Sequence, residues 1–178
     1  IGESIVTPNA NVYIRNNMPT MTDAQIGNRK NWKISVSGVK NPKTFTLAQL
    51  QKLGHTTIAT ILQCSGNGRG FFAHKVRGSQ WKTGAAACVL WTGVPVKAVV
   101  DACGCISSSA VFMTSSGVDH APTGLDPKKA MVERSVPKKA YKDAILAWEM
   151  NGDPLPNSHG GPLRTITPGY FGINNVKH

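Results

Sequence analysis

Short stretches of alternating apolar and polar residues recur along this chain, and they predict half-buried β-strands. The clearest alternation, Asn-Trp-Lys-Ile-Ser-Val-Ser-Gly, covers residues 31–38. Apolar and β-branched residues also dominate four further segments, which are bounded by turn-forming residues. The predicted strands therefore cover residues 31–38, 55–63, 110–114, 144–150 and 163–167.

Three short helices fit between these strands. Thr46 precedes apolar residues at helical spacing, and Gly54 ends that segment. Pro95 opens a second helix over residues 96–102, with Cys103-Gly104-Cys105 as its C-terminal turn. Pro137 suits the first turn of a third helix.

Short helices among many short strands, without regular alternation of the two, predict an α+β fold that is mostly β. We expect a single domain over residues 1–178. Residues 1–30 are rich in Asn, Pro and Thr, and they predict an irregular N-terminal arm.

The composition places the chain among globular proteins. Its 178 residues are enough for one domain with a sizeable core, and 40% of them are apolar against 16% charged. No run of eighteen apolar residues occurs, so the sequence predicts no membrane span. The first four residues lack the pattern of a signal peptide, and we expect a mature start.

The positive charge is concentrated in one part of the chain. The formal net charge is +11, and residues 24–100 hold eleven Lys and Arg without a single Asp or Glu. Such a field attracts anions, from a small oxyanion to a phosphorylated cofactor or a nucleic acid. A basic surface without a specific ligand is the alternative interpretation.

One hexapeptide carries candidate chemistry: Cys64-Ser65-Gly66-Asn67-Gly68-Arg69, at the end of the strand predicted over 55–63. A thiolate on a glycine loop, with an arginine five residues on, suits a thiophilic metal beside an oxyanion. A buried structural cysteine before an ordinary turn is equally compatible with these six residues alone. Cys88, Cys103 and Cys105 lie outside any such context, and their spacing forms no zinc or haem motif.

The motifs, taken in order, resemble the molybdenum-cofactor domain of the sulfite oxidase family, and most closely the bacterial sulfite dehydrogenases. In that family the cysteine loop is Cys-Ala/Ser-Gly-Asn-x-Arg, and an Arg-Asn-His-type element precedes a proline. This chain has the loop at Cys64 and Arg15-Asn16-Asn17 before Pro19. Further matching segments follow in order at residues 81–85, 91–97, 147–152, 155–164, 168–172 and 176–177.

The resemblance implies a sulfite-oxidase-type molybdopterin-binding fold, a cofactor of molybdenum and molybdopterin, and Cys64 as the metal ligand. It implies a catalytic pocket formed by Cys64, Arg15, Arg69 and Trp81. It also implies cofactor contacts from Tyr13, Arg15, Asn17, Cys64, Ser65, Gly66, His159, Arg164, Asn175 and Lys177. The implied reaction is oxidation of sulfite, with electrons passing to a c-type cytochrome in the periplasm.

The chain departs from the family pattern at three positions. Asn17 stands where the family usually has a histidine, and Gly68 replaces an arginine of the vertebrate form of the loop. Val132 occupies the place where many relatives have a pocket tyrosine. The immunoglobulin-like dimerisation domain of the family, which supplies a further pocket arginine, is expected to be absent.

Three other functions remain as alternatives. Nitrate reductase shares the fold and the cysteine loop, although haem and flavin domains would be expected beside it. The methionine-sulfoxide reductase branch has a differently worded loop. From another class, the charge could belong to a nucleic-acid-binding module, but no motif of that kind is present and no nucleic-acid partner is predicted.

Overall fold

The computed structural model of the chain describes residues 4–118, 124, 126 and 131–178. These residues form nine strands: β1 (Lys33–Val36), β2 (Lys43–Thr46), β3 (Thr56–Gln63), β4 (Ala86–Pro95), β5 (Phe112–Ser116), β6 (Glu133–Pro137), β7 (Ile145–Met150), β8 (Asp153–Pro154) and β9 (Arg164–Ile166). They also form three short α-helices: α1 (Asp23–Ile26), α2 (Leu47–Gln51) and α3 (Val96–Asp101). Single 3₁₀ turns, among them Arg69–Phe71 and Asn157–His159, fill several connections.

A five-stranded antiparallel sheet forms the centre of the structure. Its strand order is β3-β4-β7-β8, and β9 pairs with the part of β7 that β8 leaves free. Two separate hairpin-like sheets, β1-β2 and β5-β6, flank it, and both are antiparallel. The predicted α+β architecture, mostly β with short helices, is therefore what the chain adopts.

Hydrophobic clusters cover the central sheet on both faces, and a β-bulge lies between β4 and β7. Thr92 pairs with Glu149 and Gly93 with Ala147, so Trp148 is the extra residue. Trp91, before the bulge, belongs to one hydrophobic cluster. Val94 and Trp148 belong to a second cluster on the other face. The first cluster contains Val12, Leu62, Ala87, Val89, Trp91, Ile145, Ala147, Met150, Leu155 and Ile166. The second contains Phe45, Leu47, Leu50, Val94, Val99, Cys103, Trp148 and Leu163.

Two of the three predicted helices, α2 and α3, begin where the sequence places them. Thr46 accepts a hydrogen bond from the Gln49 N–H, and the Gln49 side chain accepts one from the Thr46 N–H. This capping box fixes the start of α2. Pro95 precedes α3, and Gly104 follows it at φ +97°, a conformation that glycine adopts without strain. The third predicted helix is instead a 3₁₀ turn, Lys138–Lys142.

Several strands differ from the prediction. β4 was not predicted because its ten residues are nearly all apolar, so the sequence shows no alternation, although buried and half-exposed residues alternate along the strand. β6 gives no pattern because Val136 is its one buried residue. β5 begins two residues later than predicted, at Phe112.

The N-terminal arm is more ordered than its composition indicates. Thr22 and Gln25 form a second capping box at the start of α1. The Thr7 N–H donates to the Cys88 carbonyl at 2.8 Å, and Val12 is buried in the first cluster. The arm therefore packs along β4. Within the described residues, no helix has the length and apolar character needed to cross a membrane.

Gly93→Ala should destabilise the fold strongly. A Cβ at this position would lie 2.1 Å from the Leu146 carbonyl oxygen and 2.6 Å from the Ala147 Cα, and these backbone atoms cannot move aside. We expect the free energy of unfolding in urea to fall by about 3 kcal/mol, as for an overpacked core. Gly84→Ala is the control, because its Cβ would meet no atom within 4 Å. Equal stability of the two variants would show that the bulge is not tightly packed.

Candidate functional site

A cavity of about 230 Å³ opens where β3 ends at Cys64. Its walls come from the arm, the Cys64 loop, the Ser79–Trp81 segment and the C-terminal segment after Pro156. Eleven of the twelve site residues predicted from the sequence line it: Tyr13, Arg15, Asn17, Cys64, Ser65, Arg69, Trp81, His159, Arg164, Asn175 and Lys177. The twelfth, Gly66, is buried behind the lining.

Cys64 is held on a rigid loop at the cavity wall. Its N–H donates to the Ala85 carbonyl at 2.9 Å, and its Sγ accepts a hydrogen bond from the Gly66 N–H at 3.4 Å. The Asn67 side chain accepts a bond from the Ala85 N–H at 3.0 Å, which ties the loop to the segment before β4. Cys64 is half-buried, and none of the four cysteines forms a disulfide.

Arg69 lies in a slot formed by two glycines. A Cβ on Gly66 would meet the Arg69 Cζ at 3.0 Å, and a Cβ on Gly78 would meet its Nη1 at 2.1 Å. Nη1 also donates to the Ser79 carbonyl at 3.3 Å. The slot therefore holds the guanidinium plane in one position at the cavity wall.

Trp81 presents a buried hydrogen-bond donor that has no partner. Its Nε1 is solvent-inaccessible and makes no hydrogen bond within the described structure, although the side chain lines the cavity. The indole packs edge-on against Tyr13, with ring centroids 5.8 Å apart. Leaving a buried N–H unpaired costs about 1–3 kcal/mol, so an acceptor in the cavity would be favoured.

Arg164 is a buried positive charge at the inner end of the cavity. Its side chain is 4% exposed; Nε donates to the Asn175 carbonyl at 3.2 Å and Nη1 to the His159 carbonyl at 2.9 Å. Its guanidinium also lies 5.4 Å from the centre of the Trp91 ring. Burial lowers the pKa of Arg164 to about 10, so it remains protonated at neutral pH.

Asn175 folds the C-terminal segment around the cavity. Its Nδ2 donates to the carbonyls of Tyr170 and Phe171, and its Oδ1 accepts a hydrogen bond from the Thr167 N–H. Both ends of the amide are thus used by the backbone. Asn175 therefore fixes the path of the C-terminal segment, and a direct cofactor contact from it stays a prediction.

His159 and Lys177 lie together near Arg164. Burial, and then the positive charges of Lys177 and Arg164, lower the pKa of His159 to about 4, so its imidazole is neutral at physiological pH. The Lys177 ammonium donates to the Ser158 carbonyl at 2.7 Å and to the Asn16 side chain. Asn16 was not among the predicted site residues, although it stands between two of them.

Tyr13 contributes a protonated phenol. Burial, together with the negative charge of a Cys64 thiolate, raises the pKa of Tyr13 to about 12, against an opposing effect of Arg164. Arg15, Asn17 and Ser65 are more exposed and form the outer rim. Val132 lines the wall at the place of the missing tyrosine, so that part of the cavity is apolar.

The described lining holds four cationic side chains, Arg15, Arg69, Arg164 and Lys177, and no Asp or Glu. Arg164 forms no ion pair with a described acidic residue. A buried cation without a counter-charge is costly, so the cavity is suited to an anion. The unpaired Trp81 N–H points to the same requirement.

The family sequence model of the oxidoreductase molybdopterin binding domain matches residues 19–178. The chain belongs to this family. Nitrate reductase [NADH] 2 of Phaseolus vulgaris is 31% identical over 97% of the chain, and mitochondrial sulfite oxidase of Drosophila melanogaster is 30% identical over 99%. The chain spans 20% and 30% of those two proteins.

The fold is also shared with a solved structure, the sulfane dehydrogenase SoxCD from Paracoccus pantotrophus. The TM-score is 0.81 over 98% of this chain and 42% of that one, at 23% sequence identity. This likeness confirms the predicted fold class. Membership of the molybdopterin-binding family implies a cofactor of molybdenum and molybdopterin.

The residues present fit such a cofactor. A thiol at the cavity wall offers the soft ligand that a thiophilic metal prefers. The described residues give the buried Arg164 no counter-charge and the Trp81 N–H no acceptor. An anionic molecule with many hydrogen-bond acceptors would supply both. Gly66 and Gly78 leave room for the Arg69 guanidinium, and a direct cofactor contact from Gly66 stays a prediction. Nothing in the spacing of the sequence links Gly78 to Arg69.

Gly78→Ala should displace Arg69 without unfolding the chain, because the clashing atom is the end of a flexible side chain. We expect the affinity of the cavity for sulfate, a stable test oxyanion, to fall about tenfold, the equivalent of one charge-assisted hydrogen bond. Isothermal titration calorimetry measures this. Gly54→Ala is the matched control, since Gly54 has a similar φ of +103° but open space around its Cβ. Equal losses in both variants would mean that backbone strain, not the slot, is responsible.

His159 should make the fold less stable in acid. Because its pKa is about 4 in the folded chain and ordinarily 6.5, the unfolded chain binds an extra proton between these values. The contribution is therefore complete above pH 6.5, declines as the pH falls, and is gone below pH 4. Urea unfolding at pH 7 and pH 4.5 should show a smaller pH-dependent loss for His159→Gln than for the unmodified chain. An identical loss in both would contradict this assignment.

Proposed function

We propose that this domain binds the molybdenum–molybdopterin cofactor through Cys64 and oxidises sulfite or a similar small oxyanion. One observation carries the proposal. The same cavity wall holds a thiol, the slotted guanidinium of Arg69 and the unpaired N–H of Trp81, with Arg15 at the rim. A thiolate ligand beside an oxyanion site is the donor set that this chemistry requires.

The chain's own groups divide into two sets along the cavity. Cys64 supplies the sulfur ligand, while Arg164, Lys177 and the neutral His159 surround the inner end, where an anionic pterin phosphate would be held. Tyr13 and Asn17, together with Ser65, would contact the cofactor from the arm side. The bound molybdenum supplies the two-electron redox and oxygen-transfer chemistry.

The substrate set consists of Arg15, Arg69 and Trp81. The two guanidinium groups suit the oxygens of a sulfite ion, and the indole N–H donates one further bond. The overall change is sulfite plus water giving sulfate, two protons and two electrons. The electrons would leave one at a time to an external acceptor, such as a c-type cytochrome, and the location would be periplasmic.

Nitrate reduction is the second candidate, and the relative that is 31% identical supports it. Nitrate is also a small oxyanion, and the cationic cavity suits it equally well. Because the chain spans at most about a third of the sulfite oxidases and nitrate reductases named above, the substrate must be decided by assay.

The Cys64→Ser variant tests the proposal most directly. We expect the purified unmodified chain to contain about one molybdenum per chain by mass spectrometry and to reduce ferricyanide when sulfite is added. Cys64→Ser should keep the fold by circular dichroism and lose this turnover, because the hydroxyl is a poor ligand for a thiophilic metal. Cys88→Ser, a half-buried cysteine outside the cavity, should retain it.

Three outcomes would overturn the proposal. Normal sulfite turnover by Cys64→Ser would remove the thiolate from the chemistry. Reduction of nitrate by dye-reduced protein, without any oxidation of sulfite, would assign the domain to the second candidate. Salt-sensitive binding of nucleic acid by a purified protein without molybdenum would instead support a nucleic-acid-binding module.

A further inference from the structure

A basic loop, residues 70–82, projects from the wall of the cavity. The Gly70 N–H donates to the Trp81 carbonyl at 2.8 Å, and the Gly68 N–H donates to the Lys82 carbonyl at 2.7 Å. These two bonds close the base of the loop next to Arg69 and Trp81, both of which line the cavity. The loop is thus a continuation of the proposed redox site onto the outer surface.

The surface of the basic loop combines exposed aromatic groups with positive charge. Residues 71–78 are all exposed, and Phe71 and Phe72 keep 63% and 56% of their surface in solvent. Lys75, Arg77 and Lys82 are also exposed. The sequence has no acidic residue between positions 24 and 100, so the loop carries no negative charge of its own.

The basic loop has internal order, so its surface is preformed. The Lys75 ammonium donates to the Gly70 carbonyl at 3.2 Å. The Gln80 side-chain amide donates to the carbonyls of Val76 and Gly78, at 2.7 and 2.9 Å. The Phe72 ring stacks on His74 with centroids 5.8 Å apart. A preorganised surface loses less conformational entropy on binding than a mobile one.

We propose that the basic loop is the docking surface for an electron-carrier protein with an acidic patch around its redox group. This inference rests on the proposed function, because oxidation of each sulfite releases two electrons that must leave the cavity. Two ferric haem proteins would each take one electron and become ferrous. Each must approach the cavity mouth, and the basic loop, whose base lies next to Arg69 and Trp81, is a protein surface beside it.

The chemistry of the loop selects this occupant. Its positive charge steers an acidic partner and raises the association rate. The exposed pair Phe71 and Phe72 supplies the aromatic anchors typical of the centre of a protein interface, with the charges as its rim. Such an arrangement gives transient, salt-sensitive complexes, which suit a carrier that must leave after each electron.

A double charge reversal, Lys75→Glu with Arg77→Glu, tests the inference in the full chain. Neither residue lines the cavity. We expect the KM for an acidic c-type cytochrome to rise about tenfold or more at low ionic strength, and the Kd measured by calorimetry with the same protein to rise in parallel. The matched control is Lys30→Glu with Lys52→Glu, two exposed lysines outside the loop that change the net charge equally.

Turnover with saturating ferricyanide separates this inference from the proposed function. It should be unchanged in both double variants, since the small oxidant needs no docking surface. Phe71→Ala should weaken cytochrome binding at both low and high salt, because its contribution is apolar. If the control variants weaken cytochrome binding as much as the loop variants do, net charge alone is responsible and the inference is wrong.

Three other results would also overturn the docking surface. Full cytochrome affinity in the Lys75 and Arg77 variants would exclude the loop. Preference for a basic cytochrome over the acidic one would contradict the charge argument. Loop-dependent binding of a single-stranded oligonucleotide, without binding of the cytochrome, would assign the exposed aromatic and basic residues to nucleic acid.

Discussion

The buried guanidinium of Arg164 is the constraint to which the rest of the site is fitted. It joins the core, through Trp91, to the C-terminal segment, through the carbonyls of His159 and Asn175. Two carbonyl dipoles satisfy part of its hydrogen-bonding capacity but do not neutralise its charge. Its field contributes to keeping His159 neutral and lowers the pKa of Tyr13 against the effect of burial. A buried charge of this kind is tolerated where an anion can complete it.

The same excess of positive charge continues from the cavity to the surface. Arg69 and Arg15 carry it to the rim, and Lys75 and Arg77 carry it onto the basic loop. The acid-free stretch of the sequence, residues 24–100, therefore contributes to two regions: Arg69 lies in the cavity, and Lys75 and Arg77 lie on the basic loop. Our proposals give the two regions separate uses. The inner region would hold an oxyanion, and the outer region would receive a protein. A single field can guide both partners because each is negatively charged.

The sequence predicts those parts of the fold and site that depend on local patterns. The capping pair Thr46 and Gln49 fixes α2, and the thiol at the end of a β-branched run places Cys64 where β3 ends. β4 escapes prediction because apolar residues occupy both of its faces, so the sequence does not alternate although the burial does. Gly78 escapes prediction because its role is to leave room for Arg69, and no sequence motif links the two. Asn16 escapes because its partner, Lys177, lies at the other end of the chain. Packing across the chain decides such contacts, and no local periodicity records them.

The protonation states of the side chains in the cavity indicate what kind of chemistry the protein can support. Tyr13, with a pKa of about 12, and Trp81 are hydrogen-bond donors at neutral pH, as are the arginines and Lys177. His159, with a pKa of about 4, is a weak base, and no Asp or Glu is found in the described lining. The lining that the structure describes therefore offers no carboxylate side chain as a general base, and His159 is a poor one. Oxidation at the sulfur of sulfite requires no proton abstraction from the substrate. It requires that hydrogen-bond donors hold the sulfite anion in place. The donor-rich, base-poor cavity suits that reaction, because binding and orientation are what these side chains can provide.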